Sequence, residues 1–106
     1  MASSFDDRKN SFESRFAHDA ELQFKVEARR NRLLGEWAAE ILGYEGEERT
    51  AYARDVVRAD FDEAGDDDVF RKLEGDLGEK VPAAEIRAKM DALMVTAKEQ
   101  VQTEVR

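Results

Sequence analysis

The sequence predicts an all-α protein, an antiparallel four-helix bundle carrying a flexible or partly helical N-terminal arm. Three observations lead to that expectation. Apolar residues recur at spacings of three and four along most of the chain, and no stretch alternates with the period of two that marks a half-buried strand. Glycines fall where helices should stop. The connections between periodic stretches are about two to five residues long, which favours antiparallel neighbours. At 106 residues the chain fits one folding unit, read as an arm over residues 1–18 and a bundle over residues 19–106.

The first helix is expected over about residues 20–42. Leu22, Val26, Leu33, Leu34, Trp37, Ile41 and Leu42 share one face, with Trp37 as a core anchor. Gly43 stands where a left-handed C-cap belongs, and Tyr44 where the apolar partner of a Schellman motif sits. The second, about 47–64, opens with Glu47 and Glu48, which suit the positive end of a helix dipole. Tyr52, Val56, Val57 and Phe61 form its inward face, and Gly65 closes it. Asp66, Asp67 and Asp68 supply a cap and first-turn acids to a third helix, about 67–77, with Val69, Phe70, Leu73 and Leu77. Gly75 and Gly78 weaken and end it. Pro82 starts the fourth, about 82–105, at a first helical position where its missing N–H costs nothing. Ile86, Met90, Leu93, Met94, Ala97, Val101 and Val105 keep helical spacing to its end.

The arm is different in kind. Phe5, Phe12 and Phe16 are its only large apolar side chains, with no Leu, Ile or Val among them. On a helix, steps of seven and four residues leave these rings within about 40° of one another, so they would share a face. Ser4 and Asp7 have the spacing of a capping box, with Asp in the place of Glu. A frayed extension of the first helix and a segment that orders on a partner both fit that pattern; a plain mobile terminus leaves the shared face unexplained.

Composition narrows the functional classes. The net charge of −8 opposes nucleic-acid binding, which rests on neutralising phosphates. Nine acids stand against Arg71 and Lys72 in residues 60–79, a net of −7, so the remainder is near neutral. That stretch would be repelled by an acidic membrane surface and suits a basic partner. Without cysteine, and with His18 as the one histidine, disulfides, thiolate metal sites and imidazole catalysis have nothing to build on. No signal sequence or membrane span is expected, which points to the cytoplasm. The apolar positions are just enough for one bundle, so a monomer is expected.

Four constellations bear on possible chemistry. Asp60, Asp62, Gly65 and Asp68 fall at EF-hand positions one, three, six and nine. Position five is Ala64, however, and position twelve, which must give a bidentate carboxylate, is Arg71. The loop is better explained as a helix stop followed by acidic capping, and no metal is expected. Arg29, Arg30 and Arg32, near Lys25, form a basic run on the first helix. Guanidinium forks suit phosphate, so weak ATP or ADP binding there stands as an alternative to simple i,i+4 pairing with neighbouring glutamates. His18 beside Asp19 is read as a solvated cap residue rather than a proton switch. No nucleophile and base pair can be assembled, no Gly-rich phosphate loop is present, and neither catalysis nor a cofactor is expected.

Two runs then suggest a family. Phe16-Ala17-His18-Asp19-Ala20-Glu21-Leu22-Gln23-Phe24-Lys25 continues into Ala28-Arg29-Arg30-Asn31-Arg32-Leu33-Leu34-Gly35-Glu36-Trp37-Ala38-Ala39. Together with Ala51-Tyr52-Ala53, Val56-Val57, Asp60-Phe61-Asp62 and Gly65-Asp66-Asp67-Asp68-Val69, they resemble the zeta subunit of alphaproteobacterial F-type ATP synthase over essentially the whole chain. The resemblance implies a regulatory inhibitor of the F1 sector, similar in role to the mitochondrial ATPase inhibitor protein. The N-terminal segment would enter a catalytic alpha/beta interface near the gamma shaft and block rotation in the direction of hydrolysis. Phe5, Arg8, Lys9, Phe12, Arg15 and Phe16 map onto that inhibitory segment, and the bundle would stay outside, peripheral to the inner membrane. Two rivals remain from the residues alone. One is a helical sensor binding a nucleotide at Arg29, Arg30 and Arg32; the other is an adaptor whose acidic 60–79 surface meets a basic partner.

Overall fold

The computed structural model describes residues 20–60 and 67–104, and within them the chain is all-helical. Helix α1 spans Ala20–Leu42, α2 Gly46–Ala59, α3 Asp67–Leu77 and α4 Ala83–Glu104, with a 3-10 turn at Gly78–Lys80 before α4. The arm residues Phe5, Arg8, Lys9, Phe12, Arg15 and Phe16, together with His18, Phe61, Gly65 and Val105, lie outside the described residues, as does most of the acidic loop that imitates an EF-hand.

Helix α1 is the organising element, packing most extensively on α2 and α4. Leu22 and Val26, near its start, meet Ala97 and Val101 near the end of α4. Leu34, Ala38 and Ala39, further along, share a core with Ile86 and Met90 from the first half of α4. Early residues meeting late ones makes the pair antiparallel. The second core also takes in Tyr52 and Val56 of α2 and Val69, Leu73 and Leu77 of α3. Trp37 packs against that core while keeping part of its surface exposed, with Lys89 Nζ 5.7 Å from its ring centroid.

The helix ends follow local chemistry. Gly43 adopts φ +82°; its N–H bonds to Glu40 O at 3.1 Å, and the Tyr44 N–H reaches back to Ala39 O at 2.8 Å. That pair of bonds is a Schellman motif, closing two carbonyls that α1 would otherwise leave open. The described part of helix α2 runs to Ala59, and Asp60 N–H closes a tight last turn on Val57 O at 3.3 Å. Arg58 is the last side chain that suits the negative end of the dipole; Asp60, Asp62 and Glu63 would all oppose it. Helix α3 passes through Gly75 and ends at Leu77, before Gly78 at φ +55°. Pro82 occupies the cap of α4 rather than its first turn, its carbonyl accepting from Glu85 at 3.0 Å and Ile86 at 3.2 Å.

Side-chain ties pin the shorter helices. Tyr52 donates its hydroxyl to Asp76 Oδ2 at 2.8 Å, the same oxygen that Lys72 Nζ reaches at 3.0 Å, and Lys72 also lies 5.0 Å from the Tyr52 ring centroid. Tyr44 packs on Tyr52 with centroids 5.7 Å apart. Burial first, and the Asp76 carboxylate second, raise the Tyr52 phenol well above its ordinary range. Arg87 of α4 covers the Phe70 ring at 3.7 Å, joining α4 to α3.

Candidate functional site

The basic run on α1 does not form one open cluster. Successive helical residues are turned by about 100°, so Arg29, Arg30 and Arg32 diverge. Arg29 turns to the end of α4, donating to Gln100 Oε1 at 2.8 Å and pairing with Glu104. Arg32 is exposed and pairs with Glu36 at 3.3 Å, one turn along its own helix.

Arg30 is a core residue. It is 1% exposed, and its guanidinium donates twice to Asn31 Oδ1, at 3.0 Å and 2.8 Å. Its position continues the four-residue stripe of Leu22, Val26, Leu34 and Ala38. The polar pair of Arg30 and Asn31 thus lies on α1 between the two apolar clusters, one built around Val26 and the other around Leu34. Asn31 is fully buried, and its Nδ2 has no acceptor among the described residues. A ligand at Arg30 would have to open the core, so no observation favours a nucleotide held jointly by Arg29, Arg30 and Arg32.

A different basic feature does exist, between α1 and α2. An open groove of about 510 Å³ runs there, with Arg32 and Glu36 on one wall and Arg49, Arg54 and Arg58 on the other. Ala53 and Val57 supply apolar lining. Arg32 and Val57 also border a second recess of about 280 Å³ that includes Phe24, Lys25 and Ala28. The two hollows share Arg32 and Val57 and lie side by side as a strip bordered by Lys25, Arg32, Arg49, Arg54 and Arg58. The sequence signal for it was Arg54 and Arg58 at i,i+4, a like-charge spacing that weakens a helix unless something else needs it.

Among the described residues no three His, Cys, Asp or Glu side chains come together as metal ligands, and no helix is long and apolar enough to cross a membrane. At the described end of the Asp60 to Arg71 stretch, Asp68 Oδ1 pairs with Arg71 at 2.6 Å within the first turns of α3.

Comparison with known proteins gives three findings. A protein with a solution NMR structure is 58% identical to this chain, aligning with 78% of it and with 98% of its own length at a TM-score of 0.73. A search of curated proteins gives no match. The model of the family described as ATPase inhibitor subunit zeta matches residues 1–100, nearly the whole sequence, and the chain belongs to that family.

Proposed function

We propose that the chain is a regulatory, non-catalytic inhibitor of F1-ATPase whose N-terminal arm is the inhibitory element. Phe5, Arg8, Lys9, Phe12, Arg15 and Phe16 would enter a catalytic alpha/beta interface near gamma and stop rotation in the hydrolytic direction. The bundle would remain outside, peripheral to the membrane that anchors the synthase. The observation that carries this reading is that the family match starts at residue 1, so the arm is part of what the family shares.

The energetics support a divided task. Burying three phenylalanine side chains yields roughly 1.5–3 kcal/mol each, about 5–9 kcal/mol together. Ordering some 15 backbone residues costs on the order of 1 kcal/mol apiece if they start disordered. Nanomolar binding requires about −12 kcal/mol net. The rings alone fall short, so arm charges, backbone hydrogen bonds and docking of the bundle must contribute.

The test is an add-back titration. The full chain is added to alphaproteobacterial F1 depleted of its own copy, and ATP hydrolysis is followed. Inhibition that saturates near one chain per F1 is expected; unchanged hydrolysis at a large excess of folded chain contradicts the reading.

A further inference from the structure

The groove between α1 and α2 is a basic strip on an acidic protein. The sequence holds 25 acids and 17 lysines and arginines, so carboxylates are in ample supply for pairing. Arg29, Arg32, Arg71, Lys72 and Arg87 each have one. Arg49, Arg54, Arg58 and Lys25, which border the strip, have none among the described residues. Arg54 and Arg58 also repel each other at i,i+4. Apart from Arg58 at the negative end of the α2 dipole, such an arrangement adds nothing evident to the bundle's own stability.

Its dimensions favour an extended occupant. Arg49 and Arg58 are nine residues apart, about 13 Å along the α2 axis. Lys25 and Arg32 are spread over about 10 Å of α1 by the same rise. A single small anion reaches only part of that length. The first turn of α2 carries Glu47 and Glu48, so this helix end does not offer the positive pole that phosphates use. Between the cations the apolar lining comes from Ala53, Val57 and, at 52% exposure, Phe24, beside Thr50 and the Arg32-paired Glu36.

We propose that this strip docks the bundle onto its partner by receiving an acidic, amphipathic segment of that protein. Carboxylates along the segment would pair with Arg49, Arg54, Arg58 and Lys25, and its apolar side chains would cover Val57 and Phe24. The inference rests on the inhibitor reading, and it supplies the docking contribution that the arm's rings leave outstanding. Charge complementarity of this kind acts on encounter rate and register as well as on affinity, and it weakens with salt.

The experiment measures binding of the full chain to F1 lacking its own copy, at low and high salt, for wild type, R49E/R54E/R58E and the milder R49Q/R54Q/R58Q. All three side chains are at the surface, so both variants are expected to keep the wild-type circular dichroism; the glutamine set serves if the charge reversal does not fold. At least tenfold weaker binding with a flatter salt dependence is expected. A photo-crosslinking residue at Thr50, on the groove wall, is expected to capture an acidic segment of an F1 subunit. Variants that bind F1 as tightly as wild type overturn the proposal. So does retained F1 affinity with loss of ATP binding, which would make the groove a nucleotide site. Wild type that fails to bind F1 at all overturns the inhibitor reading together with this one, whereas unaffected groove variants of a binding wild type overturn only the groove.

Discussion

Gly35 on α1 lies so close to the backbone of α2 that a Cβ on it would stand 2.5 Å from the Ala53 Cα. Ala53 Cβ and Val56 Cβ would follow at 3.1 Å and 3.3 Å. The first of these contacts is with backbone, which cannot rotate away as a flexible side chain would. Gly35 therefore sets how near the two helices come, and through that spacing the shape of the basic groove beside them.

Gly35→Ala should push α2 away or strain both helices. Overpacking in a filled core costs about 1–3 kcal/mol, and this contact belongs at the upper end because backbone must move. For a protein of this size each kcal/mol lowers Tm by roughly 4–8 °C. Thermal denaturation should show a drop of about 10 °C or more; a wild-type Tm would mean that the helices can part freely.

The tie between Tyr52 and Asp76 makes stability fall at high pH. The folded protein holds the Tyr52 phenol protonated beyond its ordinary value of 10.0. A raised value in the fold means that this group's contribution is complete below about pH 10 and is lost as pH climbs towards the folded value. Tyr52→Phe should cost about 1 kcal/mol at pH 7 through the missing hydrogen bond. Denaturant titrations from pH 8 to 11 should then show the wild type losing its advantage over Y52F; a constant difference would exclude the linkage.

Arg30 and Arg32, two residues apart, should respond oppositely to substitution. Arg30→Ala leaves Asn31 buried without its donor and opens a void, a loss on the order of 3 kcal/mol. Arg32→Ala removes an exposed pair and should stay within about 0.5 kcal/mol. Urea unfolding of both variants checks this, and comparable losses would contradict the core placement of Arg30.

Much of this architecture was legible in local pattern. The three- and four-residue spacing on α1 marks Leu22, Val26 and Leu34 as core, and Gly43 followed by Tyr44 announces the cap, because both signals act within one or two turns. Arg30 was not legible as core, since a charged residue beside Arg29 and Arg32 reads as surface until the stripe through Val26 and Leu34 is seen packed. The α1/α2 groove joins Lys25 and Arg32 to Arg54 and Arg58 across the turn at Gly43, so only the packed helix pair brings its walls together. The arm follows another logic in the function proposed above, its rings spaced for a partner and not for the bundle.

Whether the three arm rings carry inhibition is decided by a single comparison. ATP hydrolysis by depleted F1 is measured with the full chain and with the full-length F5A/F12A/F16A variant, both at the same concentrations and with matching helix content. Strong inhibition by the wild type is expected, with at least a hundredfold higher concentration of the variant needed for the same effect, about 2.7 kcal/mol of lost binding. Equal inhibition by the two proteins would place the inhibitory contact outside the three rings and contradict that role.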